Sequence, residues 1–146
     1  MVIRYEIDSA AGLVRVTVSG DVTSAEVFDY YAAVAADPAL RPGLSIFADC
    51  RGVTSVPPFA ELSAAANVQP RAPADLRPSR AAVLVSSGWL FGIVRQFAAL
   101  AERGGILVVP FYDRDEAQQW LSRERAPAPA ERLSRGEPGS ADERPR

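Results

Sequence analysis

The apolar residues of this chain change their spacing repeatedly, from a period of two to a period near 3.6 and back again. That switching makes strands and helices alternate, and an alternation of this kind builds an α/β domain. Val2-Ile3-Arg4-Tyr5-Glu6-Ile7 partly alternates, and Leu13-Val14-Arg15-Val16-Thr17-Val18 alternates more fully. With Asp8 to Gly12 as the turn between them, the two segments read as a β-hairpin. Thr23-Ser24-Ala25-Glu26 is a capping box that opens a helix to about Ala36. Val27, Tyr30, Tyr31 and Val34 supply its buried stripe, and Asp37-Pro38 stops it.

The alternation continues to the end of the folded body. Leu44 to Asp49 reads as a short buried strand, and a weaker helix from Phe59 to Val68 follows Pro57-Pro58. Pro70 to Pro78 is a connector. Arg80 to Ser86 is the next strand, Ser87-Gly88 introduces a helix from Trp89 to Glu102, and Gly104-Gly105 ends it. Ile106 to Phe111 is the last strand, where Pro110 marks a strand end or an edge position because it cannot donate to a ladder. Asp113-Arg114-Asp115-Glu116 then precedes a final helix ending at Trp120-Leu121. The order ββαβαβαβα predicts a mixed, largely parallel sheet with packed helices and right-handed crossovers. Residues 122–146 hold six arginines, five acids and four prolines, with Leu133 as the only large apolar residue. That composition is expected to be a disordered tail behind a domain of residues 1–121.

Composition removes several function classes. The 146 residues contain no histidine and a single cysteine, Cys50. There is thus no serine–histidine or cysteine–histidine pair, no intrachain disulfide and no thiolate zinc site. A net charge of −2 and a pI near 5.2 argue against a nucleic-acid surface. Arg4 and Glu6 interrupt the apolar run that a secretory leader would need. The greasy stretch from Gly88 to Ala101 is broken by Arg95-Gln96 and is too short for a bilayer core of about 30 Å. A cytoplasmic protein without a transmembrane segment, metal or cofactor is the expectation.

Several phrases resemble the STAS superfamily, named for sulphate transporters and anti-sigma-factor antagonists, and above all its bacterial SpoIIAA-like branch of stand-alone proteins. They are Gly20-Asp21-Val22-Thr23, Phe47-Ala48-Asp49-Cys50-Arg51-Gly52-Val53, Gly92-Ile93-Val94-Arg95-Gln96-Phe97, and Phe111-Tyr112-Asp113 with Glu116-Ala117 and Trp120-Leu121. Together they span residues 2–121. In the switch proteins of that superfamily a serine shortly after the third strand is phosphorylated and controls partner binding. The resemblance places Pro57-Pro58-Phe59 where an Asp-Ser-Ser segment would be, so the phosphoacceptor is absent. Thr54 and Ser55 lie nearby without forming the motif.

The chemistry-bearing residues are few. Asp49 and Arg51 flank Cys50 where a strand is expected to end, the edge at which open α/β sheets bind ligands. A thiol-phosphatase loop would need an arginine six residues after the cysteine, and Val56 stands there. The plainer alternative is a small buried thiol beside an Asp–Arg ion pair. Ser86 and Ser87 join a strand to a helix whose amides suit an anion, although an ordinary N-cap needs the same residue. Trp89, Phe91 and Arg95 belong to a helix with a narrow polar face, which either packs across the sheet or offers a surface to a protein partner or a second copy. Asp113, Asp115 and Glu116 suit a helix N-terminus without any metal. The expected function is a non-enzymatic STAS-like binding or regulatory module acting through protein–protein contacts. The alternative is a small-ligand or lipid carrier for an apolar or anionic ligand, since CRAL-TRIO-like lipid-binding domains share a similar layout.

Overall fold

A computed structural model describes residues 2–68 and 71–124 of the chain. The opening hairpin forms as its alternation predicts, from β1 (Ile3–Asp8) and β2 (Leu13–Asp21). Asp8 shapes the turn by accepting the Ala11 N–H at 3.0 Å, and Gly12 supplies the left-handed backbone, φ 72°, that closes it. Helix α1 (Ser24–Ala35) begins on the predicted capping box. Thr23 Oγ1 accepts the Glu26 N–H at 3.2 Å, and Glu26 Oε1 accepts the Thr23 N–H at 3.1 Å.

The next strand departs from expectation in its length. β3 runs from Ser45 to Ser55, six residues beyond the expected end at Asp49. Beyond a register shift, Ser19, Gly20 and Asp21 of β2 pair with Gly52, Val53 and Ser55, so the ladder continues past the polar Asp49-Cys50-Arg51 triplet. Gly52 permits the close approach, because a Cβ there would sit 3.0 Å from Ser19 Cβ. Asp21 pins the far end by accepting the hydroxyls of Thr54 at 2.7 Å and Ser55 at 2.9 Å.

Helix α2 (Phe59–Val68) follows as expected. The proline connector lies partly outside the described residues and contains one 3-10 turn, Ala74–Leu76. Then come β4 (Arg80–Leu84), α3 (Gly88–Arg103), β5 (Leu107–Phe111) and α4 (Arg114–Glu124). Helix α3 stops where Gly105 takes φ 91°. Helix α4 continues to Glu124, past Leu121; the rest of the expected tail lies outside the described residues.

The strands form one sheet in the order β1-β2-β3-β4-β5, antiparallel only between β1 and β2. Pro110 falls on β5, an edge strand, as its missing donor requires. Successive right-handed crossovers in one direction put α1, α2 and α3 on a single face. There Val14, Val16 and Ala48 meet Val34, Leu40, Leu44 and Ala72. Helix α4 covers the opposite face, where Ala117 and Leu121 pack on Phe47, Ala82 and Leu84. Leu84 is fully buried in that second cluster. Leu84→Ala is expected to lower the unfolding free energy by about 2–5 kcal/mol, through lost apolar contact and the cavity left behind. Urea denaturation of the two proteins measures it.

Candidate functional site

Alternation along β3 decides which side chains meet at the carboxyl end of the sheet. Asp49 and Arg51 point to the α4 face, and Cys50 between them points into the helical layer. Asp49 accepts three bonds from Arg51: from its N–H at 3.1 Å, its Nε at 3.0 Å and its Nη2 at 2.9 Å. A second guanidinium completes the cluster, since Arg114 Nη2 donates to Asp49 Oδ2 at 3.1 Å. Arg114 also lies over the Phe47 ring at 5.1 Å. Hydrogen bonding from Arg51 first, and the charges of Arg51 and Arg114 after it, hold the Asp49 carboxyl below its ordinary value against the opposing effect of burial.

Ser86 joins this group by donating its hydroxyl to the Arg51 carbonyl at 3.1 Å. A shallow depression of about 430 Å³ beside it is lined by Thr17, Val18, Ser19, Asp49, Arg51 and Gly52. Asp49, Arg51 and Ser86 are therefore brought together. Ser87 sits at the N-cap position of α3 in extended conformation, and its side chain makes no capping bond.

Cys50 is partly buried against the core on the helical side. Desolvation, with the Asp49 charge second, pushes its thiol up to about 12. Arg51 stands on the opposite face of the strand and does not activate it. The thiol is protonated near neutral pH and is a core packing group.

The α3 residues divide between two flanks. Trp89 and Phe91, two positions apart, diverge by about 200° around the helix axis. Phe91 and Arg95, one turn apart, share a flank. Phe91 stacks on Tyr112, with ring centroids 4.8 Å apart and planes 8° from parallel. Tyr112 is 56% exposed and Trp89 46% exposed. The sequence does not mark Tyr112 or Arg114 as candidate site residues. A signal for Arg114 existed, because a cation in the first turn of a helix opposes the helix dipole and needs another reason to be there.

No protein-family model and no curated protein matches the chain. Solved structures do. An uncharacterised protein of the DUF3478 family from Shewanella loihica PV-4, described as having a SpoIIAA-like fold, superposes with a TM-score of 0.52 at 14% identity. The match covers 82% of this chain and 93% of that one. The fold is SpoIIAA-like. An anti-sigma factor antagonist from Mycobacterium paratuberculosis superposes less closely, with a TM-score of 0.45 at 15% identity over 82% of this chain and 94% of that one. Within the SpoIIAA-like fold of this chain, Pro57 and Pro58 lead into α2 and Phe59 is its first residue. The Pro58 carbonyl accepts the N–H groups of Glu61 at 2.9 Å and Leu62 at 3.1 Å.

Two outcomes follow from the site. A folded-state value pushed up to about 12 predicts that Cys50 alkylates slowly at pH 8 in the native protein and quickly once urea unfolds it. Timed iodoacetamide labelling with mass spectrometry reads this. Asp49 has a depressed folded value, so its contribution to stability is present above the unfolded value of about 3.9 and is lost as pH falls through the folded value. Thermal midpoints measured from pH 7 downward should show Asp49→Asn less stable at neutral pH, with its deficit shrinking below about pH 4.

Proposed function

We propose that this domain is a non-enzymatic binding or regulatory module that works through protein–protein contacts, without a phosphorylatable serine at the head of α2. The observation that carries the proposal is the Phe91–Tyr112 stack at the carboxyl end of the sheet, an ordered aromatic pair with one ring more than half exposed. Rigid aromatic surface of this kind is over-represented at protein interfaces and dominates their energetics. Arg95, one turn after Phe91, shares its flank of α3.

The polar groups nearby favour binding over turnover. Asp49 is committed to two guanidinium groups, the Ser86 hydroxyl to a carbonyl, and the Cys50 thiol is protonated and turned inward. A nucleophile needs an adjacent base, and none of these groups supplies one to another. The depressions beside Asp49 and along the outer side of α4 are shallow surface grooves, unlike the enclosed apolar cavity a lipid carrier requires.

Affinity capture from a bacterial lysate, with the wild-type chain and with Phe91→Asp and Tyr112→Asp as bait, tests the proposal. A protein enriched by the wild type should bind each variant about 30-fold or more weakly, the scale of an aromatic hot spot. Circular dichroism confirms that the variants fold. Equal binding by wild type and both variants, or no enrichment over an unrelated control domain, would falsify the proposal.

A further inference from the structure

The two edges of the sheet are finished differently. β5 carries Pro110, whose ring and missing N–H discourage a further strand. β1, Ile3-Arg4-Tyr5-Glu6-Ile7-Asp8, contains no proline, glycine or bulge, and its register against β2 is unbroken. The Ser19 N–H donates to the Val2 carbonyl at 3.0 Å, directly across from it in that register. The residues hydrogen-bonded to β2 are thus Val2, Arg4, Glu6 and Asp8, and the backbone groups of Ile3, Tyr5 and Ile7 turn outward from the sheet.

The strand is also held rigid. Tyr5 donates its hydroxyl to Asp37 Oδ2 at 2.7 Å and packs edge-on against Tyr30 at 6.0 Å. Ile3, Tyr5 and Ile7 face the core, while Arg4 and Glu6 are exposed on the other face. An ordered edge needs little further ordering to accept a partner strand.

We propose that β1 pairs antiparallel with β1 of a second copy of this chain, about a two-fold axis at Tyr5, joining two five-stranded sheets into one. The sequence itself selects this register. Two antiparallel copies can form hydrogen-bonded pairs only between outward-turned residues, so the axis must fall on a residue and not between two. An axis on Arg4 sets two arginines opposite each other, and an axis on Glu6 sets two glutamates opposite each other; both arrangements are repulsive. An axis on Tyr5 sets Arg4 against the partner's Glu6 and Glu6 against the partner's Arg4. These fall in non-hydrogen-bonded pairs, where side chains approach most closely. Ile3 then meets the partner's Ile7, which continues the apolar layer across the junction. The exposed charges on β1 deter pairing with an arbitrary strand, yet they are self-complementary in this register. The contact is isologous and closes at two copies. It is independent of the aromatic surface on α3.

Multi-angle light scattering and sedimentation on the full chain across a concentration series test the pairing. The wild type should show a dimer that grows with concentration. Arg4→Glu and Glu6→Arg each place like charges at both symmetric contacts and should weaken the dimer about tenfold or more. An equimolar mixture of the two variants should recover a heterodimer, because an acidic β1 then meets a basic one. Tyr112→Asp should dimerise like the wild type. A wild type that stays monomeric up to about 1 mM, the weak end of specific association, overturns the proposal. So do single variants that dimerise as tightly as the wild type, or a mixture that forms no heterodimer while both variants retain wild-type circular dichroism.

Discussion

β3 is the strand on which the other elements depend. It has a parallel neighbour on each side, so neither connection can be a tight turn and each must cross over the sheet. Because both crossovers and the one that follows run the same way, α1, α2 and α3 collect on one face. The other face is left to whatever chain remains after β5. Among the described residues that remainder is α4, a helix of 11 residues that packs on β3, β4 and β5. Phe47 points toward α4 and Ala48 toward the helical layer, so one strand serves both cores by alternation alone. Over β1 and β2, beyond the buried members of the α4 core cluster, the same face carries the exposed Arg4, Glu6, Arg15 and Thr17.

The Asp49 cluster marks the border between the covered and uncovered halves of that face. An aspartate in the middle of a strand is costly to desolvate unless it is paired, and two guanidinium groups pair it here, both donating to its Oδ2. Arg51 comes from the same strand and Arg114 from the first turn of α4, so the carboxylate ties the helix to the sheet where the apolar contacts end. The position of Arg114 against its own helix dipole is offset by that bond and by its stacking over Phe47. The cluster is thereby occupied internally, and the two proposed contact surfaces lie elsewhere, aromatic on α3 and β-edged on β1.

Much of the fold was legible because its signals are local. The Thr23–Glu26 capping box, Gly105 behind α3 and Pro110 on an edge strand each depend on residues a few positions apart, and each forms as read. The end of β3 was not legible. Asp49-Cys50-Arg51-Gly52 looks like the start of a loop, and only the second half of β2, bonding through Ser19 to Asp21, keeps it in the sheet. In the site, Asp49, Arg51 and Ser86 were named from the sequence and do assemble. Arg114, 65 residues from Asp49, carries no local mark that ties it there. Trp89, Phe91 and Arg95 were grouped as one surface of a helix with a narrow polar face, whereas helical geometry puts Trp89 on a different flank from the other two.

By itself the sequence determined the alternation of elements, the mixed, largely parallel sheet and the exclusion of histidine chemistry and of an intrachain disulfide. Spacing and composition act over a few residues and do not need the rest of the chain. The tertiary structure alone decided that the Cys50 thiol turns away from Arg51, that Arg114 shares Asp49, and that Phe91 stacks on Tyr112. Those outcomes depend on which face of a strand meets which helix across long sequence separations, and such contacts exist only once the sheet has assembled.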